Sequence, residues 1–408
     1  MTRGIAVAVA VAVSIAGVAS GAFAVAVASP VEQATAGVGR LAWDLVRASG
    51  PGNAIVSPVS VWEALAMTHA GARGETAAEM ARVLGMPDDR AVVAAGSESL
   101  RKLCAEAKGE KIVLDVANRI WVQKDKKLEA DFTALLAGKF GAGAGVVDFV
   151  GATEPARAEI NAWVSDHTAR KIDELLKAGT ITAATRLVLT NAVYLKAPWA
   201  TKFAKEATRP EPFHVSADTR ADVPFMHQSG RLVAGRVGEG PRAVTVCEIP
   251  YEGNRLALVV IVPDAVDGLG AVLGGLDGAS LAGWPDGAVR PRKVNLALPK
   301  WTARKPLGLN EALAALGMKQ AFRQGVADFS GMDGTRDLFV SAIVHEGFVE
   351  VTEEGTEAAA ATGVVVATRA AVAPEEPLDV RADRPFAWAV VERGTKAILF
   401  AGVVADPR

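Results

Sequence analysis

An α+β fold follows from three features of the 408-residue chain. Apolar side chains recur at helical spacing early on, in residues 41–46, 61–71, 76–84 and 91–107. Runs that are apolar on both faces, at residues 185–199, 256–262 and 338–351, read as buried strands of a central sheet. The chain then closes with two more apolar runs, 384–391 and 397–404, joined by a turn at residues 392–395. No internal repeat or interior linker divides it, so residues 29–408 are read as one domain.

Residues 4–28 lie outside that domain. They carry no charge and are almost wholly Ala, Val, Ile and Gly, with Arg3 before them and Glu32 after. This reads as a secretory signal peptide, with Ala26 and Ala28 as the small residues of a cleavage site just before Ser29. The length also suits a membrane anchor, which needs about 20 apolar residues. Alanine is only weakly apolar, which favours cleavage and a secreted, extracellular protein.

The elements follow in order. A first helix ends before Ser49, Gly50, Pro51 and Gly52, and a short strand from Asn53 leads to a helix start at Ser57 and Pro58. Gly37, Gly39 and Ala42 formally match a dinucleotide fingerprint. They follow no strand and have no acidic partner at the right distance, so the match carries no chemistry. Residues 111–122 read as a strand, 128–140 as a helix and the glycine-rich 141–145 as a loop. Residues 155–176 contain an amphipathic helix around Ile160, Trp163 and Val164, then a second short helix. Residues 222–228, 243–251 and 294–301 are further strands, and residues 309–316 form a helix closed by Gly317.

Composition excludes several functions. The net charge is −2 with no block of like charge, which points away from nucleic acid and acidic lipid surfaces. Arg101, Lys102 and Lys108 give one helix a basic edge, read as a solvated face. Cys104 and Cys247 sit in no metal-binding or redox pattern; they could pair in an oxidising compartment, but two scattered cysteines read more readily as buried free thiols. The five histidines, His69, His167, His214, His227 and His345, form no metal-binding pair, and no nucleophile elbow is present. The chain is therefore read as a non-enzyme with no cofactor and no metal.

One stretch contradicts itself locally. Glu357, Ala358, Ala359, Ala360 and Ala361 favour helix, whereas Val364, Val365 and Val366 favour strand. Taken as a strand, it places Thr356, Ala358, Ala360, Thr362, Val364, Val366 and Thr368 on one small-residue face. On composition alone it is an alanine-rich surface linker, yet it also suits a loop in one state and a central strand in another.

The run Glu353, Glu354, Gly355, Thr356, Glu357, Ala358, Ala359, Ala360, Ala361 and Thr362 resembles the proximal hinge of the reactive-centre loop of inhibitory serpins. The resemblance extends from about residue 31 to 408. Residues 185–199 and 338–351 are similar to the strands bordering the insertion slot, and Arg384, Pro385 and Phe386 resemble the family signature. It implies the serpin fold, about eight to nine helices around three β-sheets, with an exposed reactive-centre loop at about 353–380. It also implies a suicide trap: a serine protease forms an acyl-enzyme with the loop, and the cut loop inserts into the sheet. Ser57, Ser60, Asn191 and His345 match the polar cluster under the slot, the shutter, and Trp199 matches the breach at its far end. The family usually has a basic residue and alanine after this histidine. Here Glu346 and Gly347 follow, and Gly347 is expected to loosen the strand. The implied partner is a serine protease in covalent complex with a monomeric inhibitor. Sixteen positions beyond Glu353 the reactive bond falls at Arg369 and Ala370, which implies a trypsin-like target. A cut after Val372 or Ala373 would instead suit an elastase-like enzyme. The alternatives are a non-inhibitory serpin acting in binding or folding assistance, and an anchored surface protein whose loop is recognised without being cut.

Overall fold

The computed structural model describes residues 28–277, 281, 287–356 and 376–408. Residues 1–27 and 357–375, the second stretch including Glu357, Ala358, Ala359, Ala360, Ala361, Thr362, Arg369 and Ala370, lie outside the described residues.

Nine α-helices are found among the described residues: α1 (Pro30–Ala48), α2 (Pro58–Gly71), α3 (Gly74–Leu84), α4 (Arg90–Ala107), α5 (Ala130–Leu135), α6 (Thr153–His167), α7 (Leu269–Leu273), α8 (Asn310–Ala315) and α9 (Ser330–Asp333). Ser29 caps α1 in a reciprocal capping box with Glu32. The coincidental glycine fingerprint lies inside α1, where a Cβ on Gly37 would sit 2.5 Å from the Leu84 carbonyl. Helix α2 starts at the Pro58 signal and is buried almost all round, as a central helix must be. Helix α5 runs into a single π-turn, Leu136–Phe140. The second short helix expected after α6 is absent; Arg170 to Leu176 form turns fastened by Asn161, which caps the Leu176 amide and carbonyl.

Fifteen strands are described: β1 (Ala54–Val56), β2 (Val113–Gln123), β3 (Ala144–Val147), β4 (Leu187–Pro198), β5 (Arg209–His214), β6 (Arg220–Val237), β7 (Val244–Pro250), β8 (Leu256–Pro263), β9 (Arg290–Pro299), β10 (Trp301–Gly308), β11 (Val340–Thr352), β12 (Gly355–Thr356), β13 (Leu378–Arg381), β14 (Phe386–Glu392) and β15 (Ile398–Val404). They make two hydrogen-bonded systems, a nine-stranded sheet and a six-stranded sheet ordered β10-β11-β12-β4-β2-β3. The larger system is continuous because the 18-residue β6 serves β5 and β9 along its first part and β7 at its end. Two of the three sheets implied by the resemblance are thus joined through one strand. Strand β3 occupies the end of the stretch read as a loop, pairing parallel to β2.

The six-stranded sheet is covered on both faces. On one side β2 and β4 pack with α2 into the main core, through Leu114, Ile120, Leu189 and Val193. On the other, Ala117, Trp121, Val188 and Ala192 pack beneath α6, with Ile160 and Val164. The Arg119 guanidinium lies 4.5 Å from the Trp121 ring centre and 5.2 Å from that of Trp163, clasping α6 to the sheet.

Candidate functional site

Strands β4 and β11 run parallel and pair directly from Leu187 with Val340 to Tyr194 with Phe348. Above that point they part. Strand β11 ends at Thr352, the chain reverses at Glu353 and Glu354, and β12 returns between the two strands, antiparallel to both. Gly355 makes the reversal possible. Its φ is +149°, and a Cβ there would lie 2.2 Å from the Ala197 carbonyl.

Thr356 is therefore already turned inward and fully buried. Its Oγ1 lies 2.6 Å from the Tyr251 hydroxyl. Burial pushes the Tyr251 phenol well above its ordinary value, so it stays a neutral donor or acceptor. Trp199 stacks on Tyr251 with ring centres 4.6 Å apart, and its indole N–H donates to the Thr352 carbonyl at 2.9 Å. The amides of Trp199 and Phe203 donate to the carbonyls of Glu354 and Glu353 at 3.1 and 3.0 Å.

Glu353 and Glu354 are held in ion pairs. Glu353 pairs with Lys300 at 3.0 Å and accepts from the Thr208 hydroxyl at 2.9 Å. Glu354 pairs with Lys202 at 2.6 Å and Lys205 at 3.0 Å. Bonds from these two lysines hold the Glu354 carboxyl below its usual range. For Glu353 burial opposes ionisation, but its own backbone amide, Lys300 and Thr208 together prevail.

Below the junction the structure brings Ser57, Ser60, Asn191 and His345 together. His345 and Asn191 are cross-strand neighbours on β11 and β4, and their side chains are hydrogen-bonded. The Ser57 amide donates to His345 Nε2 at 3.0 Å, which leaves the proton on Nδ1, facing the Asn191 carbonyl oxygen. The Ser57 hydroxyl donates to the Leu399 carbonyl at 2.7 Å. Asn191 donates to Ser60 and to a residue the sequence reading missed, Asn118 of β2. The Ser60 hydroxyl donates to Asn118 Oδ1 at 2.8 Å, and Asn118 Nδ2 donates back to the Ser60 carbonyl at 3.1 Å. The result is a polar row across β2, β4 and β11, closed underneath by α2. Asn118 had a readable signal, because Leu114, Val116, Asn118, Ile120 and Val122 share one strand face and only Asn118 is polar.

Gly347 keeps its strand pairing on both sides. It is registered with Lys305 on one side and Val193 on the other. A Cβ there would meet Ile55 side-chain carbons at 3.1 and 3.2 Å, so the glycine allows close packing. Glu346 is almost fully buried and pairs with Arg304 at 2.6 Å. The basic edge of α4 is engaged too: Arg101 donates to the Lys139 carbonyl, and Lys108 pairs with Asp115 at 3.0 Å. Cys104 and Cys247 are buried free thiols.

The family profile described as "Serpin (serine protease inhibitor)" matches residues 38–407. The leukocyte elastase inhibitor of Sus scrofa is 38% identical over 389 residues, covering 92% of this chain and all of that protein. Iris of Ixodes ricinus is 37% identical over 355 residues, covering 87% of this chain and 92% of that protein. Among solved structures, Serpin48 of Tenebrio molitor, described as a highly specific serpin, superposes with a TM-score of 0.79 at 29% identity, covering 93% of this chain and 97% of its own.

Proposed function

The chain belongs to the serpin family, and on that premise we propose that it inhibits serine endopeptidases as a suicide trap, with residues 353–380 as its reactive-centre loop. The observation that carries this reading is the placement of Gly355 and Thr356. They already lie between β4 and β11, antiparallel to both, as the first rung of an added strand. Continuing that register sets Val366 opposite Leu187 and Ala367 opposite Val340, where the paired part of the slot ends. That end lies two residues short of Arg369, so a chain cut after Arg369 has the length the slot takes.

Insertion exchanges one parallel ladder for two antiparallel ones. About a dozen added hydrogen bonds, at a net ~1 kcal/mol each, match the ~5–15 kcal/mol stability of a whole domain. About twelve inserted residues carry the tethered enzyme roughly 40 Å. The protease attacks the Arg369 carbonyl, the acyl ester forms, the Ala370 amine leaves, and insertion displaces the enzyme before water cleaves the ester. Here Ser57, Ser60, Asn118, Asn191 and His345 hold the sheet closed until then, while Trp199 and Tyr251 seat the hinge. The inhibitor acts as a monomer outside the cytoplasm, after removal of residues 1–28. The charge-free run at 4–28 supports that placement, as does the Ser29 cap that begins α1.

Thr356→Arg tests the trap, because it places an unpaired cation beside Tyr251, costing several kcal/mol. The variant should be cut by trypsin as a substrate, whereas wild type should form an SDS-stable complex. A variant complex at wild-type yield refutes the trap. Mass spectrometry of the peptide released from that complex fixes the bond, with Ala370 expected at its N-terminus. The names of the elastase-inhibitor relatives favour a second reading, in which the cut follows Val372 or Ala373. A peptide beginning at Ala373 or Pro374 selects it.

A further inference from the structure

Beyond Tyr194 and Phe348 the parallel pairing of β4 and β11 stops, so these two residues mark the fork at which the sheet divides. By strand alternation both side chains share the face of Val188, Ala192, Ala342 and Val344, which lies beneath α6. Lys171, from the segment that follows α6, reaches over both. Its ammonium lies 6.0 Å from the Tyr194 ring centre and 5.8 Å from that of Phe348, at the edge of the range in which a ring attracts a cation. One cation thus faces a ring on each of the two strands. The backbone leading to it is strained. Ala169 and Arg170 have φ values of +49° and +59°, a left-handed conformation that ordinary side chains disfavour. Two such residues in succession persist only where their surroundings fix them. Here the amides of Thr168 and Arg170 both donate to the Ser165 carbonyl, at 3.3 and 2.9 Å, and the Ser165 hydroxyl donates to Asp173 at 2.7 Å. Ile172, Leu175 and Leu176 are buried on the same sheet face. The turn aims Lys171 back over the fork.

We infer that Lys171 is a latch on the closed sheet, a positioning residue that holds β4 and β11 together at the fork through a ring on each. Its purpose rests on the insertion reading, whereas its geometry does not. Neighbouring strands lie about 4.8 Å apart, and a strand added between them doubles that to about 9.6 Å. The register of β12, extended, would bring Ala359 between Tyr194 and Phe348, on the face below Lys171. With Ala359 in the middle, the ammonium could follow one ring only. Its attraction to the pair therefore favours the closed sheet over the open one, and only such a difference between two states can bias them.

Hydrogen exchange of the intact chain tests the latch without any protease. Lys171→Met keeps most of the side chain's length and removes its charge. Amides of residues 188–194 and 342–348 should exchange about tenfold faster than in wild type, while those of β14 and β15 keep their rates. Lys171→Arg should restore the protection. In a Phe348→Leu background Lys171→Met should add a smaller increase, because one of its two rings is gone. Unchanged exchange in β4 and β11, or an equal increase in β14 and β15, overturns the proposal. A second measurement separates the latch from the trap. Cut by a metalloprotease within residues 367–375, Lys171→Met should gain its added thermal stability about tenfold sooner than wild type. Equal rates would mean that Lys171 does not gate insertion. If neither cut protein gains stability, the trap reading fails, and exchange in the intact chain still decides whether Lys171 latches the sheet.

Discussion

His345 can hold its place in the polar row only as a neutral ring. Its Nε2 must accept from the Ser57 amide, and burial brings its pKa down to about 3. An unfolded histidine titrates near 6.5, so the native state resists a proton that the unfolded state takes up. The stability this contributes is fully present above pH 6.5 and is lost as pH falls toward 3. His69, lowered to about 4 by burial and Arg90, titrates in the same window. Wild type should therefore show a falling unfolding midpoint from pH 6.5 to 4, and His345→Gln a shallower fall with the His69 part remaining. Equal slopes would place the acid sensitivity elsewhere. Asn118→Ala should lower wild-type stability by about 1–3 kcal/mol in denaturant unfolding, because it leaves Asn191 and Ser60 without their acceptor.

The incoming strand has one position where its chemistry must match that row. Under the proposed insertion, extending the register of β12 would set Thr362 opposite both Asn191 and His345, on the face that Thr356 already turns to the core. Insertion would separate those two side chains, and the Thr362 hydroxyl would replace each for the other. Thr362→Val should therefore reduce the stability gained on loop cleavage by about 1–3 kcal/mol, read as a smaller rise in midpoint than wild type shows. An undiminished rise would mean that the inserted strand takes another register. The odd character of residues 357–368 was legible in the sequence, as small, largely uncharged side chains where both helix and strand signals fail. Long buried strands such as β4 and β8 were legible because both faces are apolar. Strand β5 was not, since Arg209, Pro210, Glu211 and Pro212 lack the apolar alternation of a strand, although β5 forms a hairpin with the β6 that follows it. The ion pairs of Glu353 and Glu354 were equally hidden, because Lys202, Lys205 and Lys300 come from other parts of the chain.

At the scale of the whole molecule, the proposed trap requires the described sheet to exchange one pairing for another. β4 and β11 share a parallel ladder, although each presents the edge that β12 already uses at the top. Opening them means moving a sheet packed between α2 and α6 and breaking the row from Asn118 to His345. On the proposed mechanism, cutting the loop would remove the tether that prevents the exchange. A metalloprotease separates the cut from trapping, because it attacks with water and forms no acyl-enzyme that insertion could capture. Wild type nicked within residues 367–375 by such an enzyme should insert its loop unaided. With about a dozen added bonds, its unfolding midpoint should rise on the order of 15 °C. Thr356→Arg, nicked in the same way, should show little or no rise, since its first inward side chain cannot be buried. A nicked wild type that melts with the intact protein would mean that the slot does not open. The chain would then be a non-inhibitory serpin, whose hinge seats Thr356 against Tyr251 and goes no further.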